Sequence, residues 1–89
     1  MAWKIELSGL ARKNLAALDP QHSRRILNFL HERVATLDSP RSIGEALQGS
    51  KLGDFWKYRV GDYRIIANIE DGNLRILVVK IGNRREVYR

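Results

Sequence analysis

Phe55-Trp-Lys-Tyr-Arg-Val-Gly-Asp-Tyr-Arg-Ile-Ile-Ala-Asn-Ile69 is the stretch that decides the fold. Trp56, Tyr58 and Val60 alternate with Phe55, Lys57 and Arg59, and beyond Gly61-Asp62 a second alternating run places Tyr63, Ile65, Ala67 and Ile69 on one side. Two period-two runs around a Gly-X pair predict a β-hairpin with a two-residue type II′ turn. Such a turn fixes the register: Val60 opposite Tyr63, Arg59 opposite Arg64, Tyr58 opposite Ile65, Lys57 opposite Ile66. Two arginines then face each other on the side away from Trp56, Tyr58 and Ile65, with Lys57 two residues along. Like charges directly opposite in a ladder destabilise by up to ~1 kcal/mol, and a sequence shaped by stability alone would avoid them. Three cations on one sheet face, over an apolar floor expected from Leu77 and Val79, suit a polyanion. The alternative is that the long side chains fan apart into solvent, where screening makes their repulsion harmless.

Working outward, Asp71-Gly72 predicts a type I′ turn into a third strand over Leu74 to Lys80, which completes an antiparallel meander. Upstream, residues 40–54 read as a loop punctuated by Gly44, Gly49 and Gly53. Before it, Leu27, Leu30, Val34 and Leu37, flanked by Ile26, form a helical stripe that Asp38-Ser39-Pro40 ends. Asp19-Pro20 starts this helix, and Ser8 caps a shorter one carrying Ala11, Leu15 and Leu18. Trp3, Ile5 and Leu7 alternate with Lys4 and Glu6 as an N-terminal strand. After Gly82, residues Arg85, Val87 and Arg89 alternate with Arg84, Glu86 and Tyr88 as a short closing strand. The expected class is α+β: an N-terminal strand, a two-helix hairpin, an antiparallel three-stranded meander and a short C-terminal strand, in one domain over residues 1–89.

Sixteen Lys and Arg against ten Asp and Glu give a net charge of +6. Residues 1–45 hold seven basic and five acidic side chains and residues 46–89 hold nine and five, so the excess lies in the half that carries the meander. Nucleic acid is the leading partner class for so basic a domain. Without cysteine, disulfides, Cys-based zinc sites and thiol nucleophiles are excluded. The longest apolar run is Ile76-Leu-Val-Val79, so neither a membrane span nor a signal peptide is expected, and the reading is a soluble cytoplasmic protein.

Other candidate sites fail on spacing. Gly44-Glu-Ala-Leu-Gln-Gly-Ser-Lys51 transposes the lysine and serine of a phosphate loop and follows no strand. His22 and His31 are nine residues apart, hence on opposite sides of a helix, and cannot share a metal. No metal or cofactor site is expected.

Leu47-Gln-Gly49, Trp56-Lys-Tyr-Arg-Val-Gly-Asp-Tyr-Arg-Ile-Ile66 and Ile76-Leu-Val-Val-Lys-Ile-Gly-Asn-Arg-Arg-Glu-Val-Tyr88 resemble the RelE branch of the RelE/ParE toxin superfamily. The resemblance implies a RelE-like fold over the whole chain. It further implies the toxin of a type II toxin–antitoxin pair, a metal-independent endoribonuclease that cleaves mRNA in the ribosomal A site. Its partners would be a RelB-like antitoxin, the ribosome and mRNA. By position, Lys57, Arg59, Arg64, Arg84 and Tyr88 match the family's catalytic residues, and Lys57, Arg59, Arg64, Arg85 and Arg89 form the expected RNA-binding set. Arg59 stands where other members carry Lys, and a guanidinium does not give up a proton at this position.

Attack of a 2′-OH on the adjacent phosphorus, leaving a 2′,3′-cyclic phosphate, needs a base, charge stabilisation and a leaving-group acid. Surrounding cations favour the phenolate, so Tyr88 and Lys57 are the candidate bases. Arg59 and Arg64 suit clamping of phosphate oxygens, and Arg84 suits charge stabilisation at the leaving group. With no histidine or carboxylate expected nearby, free RNA should be cut negligibly. Two alternatives are a ParE-like poison of DNA gyrase and a noncatalytic RNA-binding module that stacks bases on Tyr63 or Phe55.

Overall fold

The computed structural model describes residues 2–47 and 55–87. Among them the order is β1 (Lys4–Leu7), α1 (Gly9–Ala17), α2 (Pro20–Asn28), β2 (Glu45–Ala46), β3 (Phe55–Val60), β4 (Tyr63–Glu70) and β5 (Arg75–Asn83). Single 3-10 turns occupy Pro40–Ser42 and Asp71–Asn73. The strands form one sheet in the order β1-β5-β4-β3-β2, antiparallel except where β1 runs parallel to β5.

Each helix starts where a side chain or proline meets the unbonded amides of a first turn. Ser8 caps α1 by accepting from the Ala11 amide at 3.0 Å, and Pro20 opens α2 after Asp19. Ser23 Oγ of α2 donates to Leu15 O at 2.7 Å, tying the second helix to the end of the first. The second helix continues as a wider π turn over Phe29–Val34, which ends with the Ala35 amide on Leu30 O at 2.9 Å. Its buried line is Ile26, Leu30 and Val34, with Leu27 only partly buried. Both helices cover one face of the sheet, where Ala11, Leu15, Ile26, Leu30 and Val34 pack against Tyr58, Val60, Ile65, Ala67, Ile69, Ile76, Val78 and Ile81.

The hairpin register is the one expected from the turn: Val60 opposite Tyr63, Arg59 opposite Arg64, Tyr58 opposite Ile65 and Lys57 opposite Ile66. Gly61 takes φ +60° and Asp62 stays at negative φ, as a type II′ turn requires.

Three expectations are corrected. The connection after β4 is not a type I′ turn on Asp71-Gly72; it is a 3-10 turn over Asp71–Asn73 closed by Leu74 at φ 48°. Four residues then separate the paired Glu70 and Arg75, so the reversal is spread over a longer loop. Residues 84–87 form a turn rather than a closing strand, since the Glu86 and Val87 amides both fold back to Asn83 O at 2.9 Å. Within the expected loop 40–54, Glu45 and Ala46 add a two-residue edge strand on β3, while residues 48–54, with Gly49 and Gly53, lie outside the described residues.

Candidate functional site

The face of the sheet away from the helices carries the basic residues. Lys57 and Arg59 of β3 and Arg64 of β4 alternate with the core positions Tyr58, Val60 and Ile65, so they point away from the core. Their apolar floor is a second small cluster of Ile66, Leu47 and Val87 with Phe55 against it, in place of the expected Leu77 and Val79. Strand pairing supplied Ile66 as the centre of that floor, and backbone reversal at 84–87 brought Val87 over it. A Cβ placed on Gly82 would sit 3.4 Å from Val87 Cβ, so Val87 lies close above the sheet at that point.

Register and turn geometry bring the arginines together. Arg59 and Arg64 are direct cross-strand partners, and Gly82 of β5 is the residue opposite Arg64 on its other side. Arg64 Nη1 donates to Gly61 O at 3.1 Å and to Tyr63 O at 3.0 Å, which aims its guanidinium at the hairpin end of the face. The Arg84 amide donates to Asp62 O at 2.8 Å, fastening the turn that carries Arg84 to the tip of the same hairpin. Arg84 and Arg85 are exposed, and the Arg85 amide is held by Asn83 Oδ1 at 3.0 Å. Tyr88 and Arg89, the remaining expected site residues, lie outside the described residues.

Lys57 is half-buried and ion-paired with Glu45 of β2, Nζ to Oε2 3.7 Å. The structure thereby overturns the expectation that the constellation lacks a carboxylate. Glu45 was not legible as a neighbour, because its placement depends on the short β2 strand and on Gly44 at φ +81°. Gly44, Glu45, Lys57, Tyr58, Arg59 and Arg64 line a cleft of about 50 Å³, room for a few waters rather than a base, so a ligand meets this face from outside. A shallow groove runs between the helical segment and the hairpin, its lining including Arg25, Phe29, Glu32, Arg33, Arg59 and Gly61. Arg59 borders both.

Tyr58 lines the cleft. It is buried, its hydroxyl donates to Pro40 O at 2.6 Å, and burial pushes its pKa far above the ordinary phenol value against the opposing pull of Arg41. It is a neutral structural tyrosine with no base to offer.

The face carries Lys57, Arg59 and Arg64 on an antiparallel hairpin, with Arg84 and Arg85 exposed on the turn bonded to its tip. Comparisons with known proteins give the family. The family described as "ParE toxin of type II toxin-antitoxin system, parDE" matches residues 5–88. Toxin RelG of Mycobacterium tuberculosis is 24% identical over 89 residues, covering 100% of this chain and 99% of that protein. Toxin RelE of the same organism is 25% identical over 87 residues, covering 98% and 87%. Among solved structures, the toxin–antitoxin complex RelBE2 from Mycobacterium tuberculosis superposes with a TM-score of 0.85 at 20% identity, covering 97% of this chain and 95% of that one. The archaeal RelE–RelB complex from Pyrococcus horikoshii gives 0.74 at 26% identity, covering 98% and 100%. The chain is a member of the ParE toxin family of type II toxin–antitoxin systems, on the RelE branch of the RelE/ParE superfamily.

Proposed function

We propose that the chain is a ribosome-dependent endoribonuclease, the toxin of a pair whose antitoxin is RelB-like, cleaving mRNA in the A site without a metal ion. The observation that carries this reading is the Arg59–Arg64 cross-strand pair with Arg84 fastened to the same hairpin tip. The like-charged Arg59–Arg64 pair costs the sheet stability, and with Arg84 on the turn bonded to the same hairpin it suits the charge that builds on a phosphorane.

In the reaction, the 2′-oxygen attacks its adjacent phosphorus and loses its proton to a base. The P–O5′ bond breaks, leaving a 2′,3′-cyclic phosphate and a 5′-oxygen that takes a proton from solvent water to become the 5′-hydroxyl. Arg59 and Arg64 hold the non-bridging oxygens by fork geometry. Arg84 stabilises charge on the departing oxygen. Tyr88 or, as the neutral amine, Lys57 accepts the 2′ proton; where Tyr88 takes it, Lys57 in its ion pair with Glu45 is a cation beside the phosphate. Arg85 and Arg89 bind flanking phosphates. The open face does not enclose its substrate, so the ribosome supplies the positioning that a pocket would otherwise supply.

Primer extension on an mRNA with programmed ribosomes, run with and without ribosomes, tests this. Wild type should give ribosome-dependent cuts that vanish in Arg64→Ala and fall steeply in Tyr88→Phe. Cuts that persist in Arg64→Ala would remove the arginine pair from the chemistry. A second reading is a ParE-like poison of DNA gyrase, kept because the matching family bears the ParE name. Inhibited supercoiling by purified gyrase, with no mRNA cuts, would establish it instead. A noncatalytic RNA binder would retain its binding and show no cuts in any variant.

A further inference from the structure

The core residues of β5 break the two-residue period of a strand. Ile76 and Val78 face the helices, and the next core residue is Ile81, three positions on. The extra residue is a β-bulge: Ile66 of β4 pairs with Lys80, the next residue Ala67 pairs with Val78, and Val79 is passed over. Ile66 belongs to the cluster on the face away from the helices, and Lys80 opposite it lies on that face too. Lys57 pairs with Ile66 from the other side, so Lys57, Ile66 and Lys80 form one row across three strands, next to the row of Arg59, Arg64 and Gly82. Without the bulge, strict alternation would put Lys80 beside Ile76 and Val78 in the core.

The bulge is held by side chains of the first helix and its N-terminal cap. β1 ends opposite Val78, and beyond it Ser8 Oγ donates to Val79 O at 2.7 Å while Asn14 Oδ1 accepts from the Ile81 amide at 3.0 Å. Two otherwise orphaned backbone groups of the bulge are thus satisfied by residues whose side chains could have faced solvent. Bulges recur beside functional sites because they re-aim a side chain. We infer that Lys80 is a further phosphate-binding residue of this face, set there by the bulge at Val79, with Ser8 and Asn14 as its positioning residues. The inference rests on the RNA reading above and extends it to a cation on the third strand. It places a contact about two strand spacings, roughly 10 Å, from Lys57, farther than one phosphate reaches. Lys80 therefore takes a neighbouring phosphate of the same strand.

The test is binding of a fluorescein-labelled single-stranded RNA of about 12 nucleotides, followed by anisotropy over a salt series for wild type, Lys80→Gln, Lys80→Arg and Arg64→Ala. Lys80→Gln should weaken binding and lower the slope of log K against log salt by about 0.7, the increment for one contact to a single strand. Lys80→Arg should restore both. Melting temperatures of all four are taken in parallel. Wild-type affinity and slope in Lys80→Gln, while Arg64→Ala binds weakly, overturn the inference and leave the RNA reading standing. A lowered melting temperature with a binding loss that Lys80→Arg does not restore makes Lys80 structural and also overturns it. No binding by wild type itself overturns the inference, while the ribosome-dependent reading stands or falls by the primer-extension cuts.

Discussion

At the scale of the residue, Gly44 and two ion-paired carboxylates show how single groups set the local structure. Gly44 sits at φ +81°, and a Cβ there would meet Lys57 O at 2.5 Å and Trp56 Nε1 at 2.7 Å. Gly44→Ala is therefore both strained and blocked, and it should lower stability by on the order of 1–3 kcal/mol in urea unfolding. Since Gly44 delivers Glu45 to Lys57, the same variant should also disturb nuclease activity; full stability in Gly44→Ala would show that the backbone there has another solution. At the far end of the sheet, hydrogen bonds from Arg41 hold the Asp71 carboxyl below its usual range. Arg75, and then Asn73, do the same for Glu70. A carboxyl whose pKa is lower folded than unfolded stabilises the fold above its unfolded value of about 4 and loses that contribution as pH falls through its folded value. The urea midpoint should thus fall as pH drops below about 4, and Arg75→Gln should flatten the fall. An acid profile that Arg75→Gln leaves unchanged would mean other groups carry it.

At the scale of the element, the β3–β4 hairpin is a place where stability and function pull apart. Arg59 is exposed and faces Arg64, whose guanidinium is tied to the carbonyls of Gly61 and Tyr63. Arg59→Thr removes the like-charge pair and places a good strand former on the edge of the cleft. Thermal melts should show unchanged or higher stability, by up to ~1 kcal/mol, while the ribosome-dependent cuts weaken. A clear drop in melting temperature would instead assign Arg59 a structural role. Neighbouring β2 shows how little pairing an edge needs to matter: two residues, Glu45 and Ala46, are enough to set a carboxylate against Lys57.

At the scale of the whole molecule, the helices take one face of the sheet and leave the other to the cations. Among the described residues no helix is long and apolar enough to cross a membrane; the net charge of +6 suits a polyanion. Expressed alone, the wild-type chain should arrest bacterial growth, and Arg64→Ala should relieve the arrest while leaving the fold intact by circular dichroism. Unimpaired growth with soluble, folded wild type would count against an active toxin.

The sequence by itself determined the hairpin, its register and the face of Lys57, Arg59 and Arg64, because a Gly-Asp turn between two alternating runs admits one pairing. It determined the helix starts at Ser8 and Asp19-Pro20 for an equally local reason. Only the tertiary structure decided that β1 lies parallel beside β5, that Val87 and Ile66 form the floor, and that Glu45 reaches Lys57. Lys80 belongs to the same group. Its one trace in the sequence is that strict alternation would bury a charge, and the remedy comes from Ser8 and Asn14, more than sixty residues away, which bond the bulge only once α1 has packed on the sheet. Local periodicity specifies which face a residue prefers; a bulge, an edge strand or a folded-back tail depends on partners distant in the chain, and those are fixed by packing.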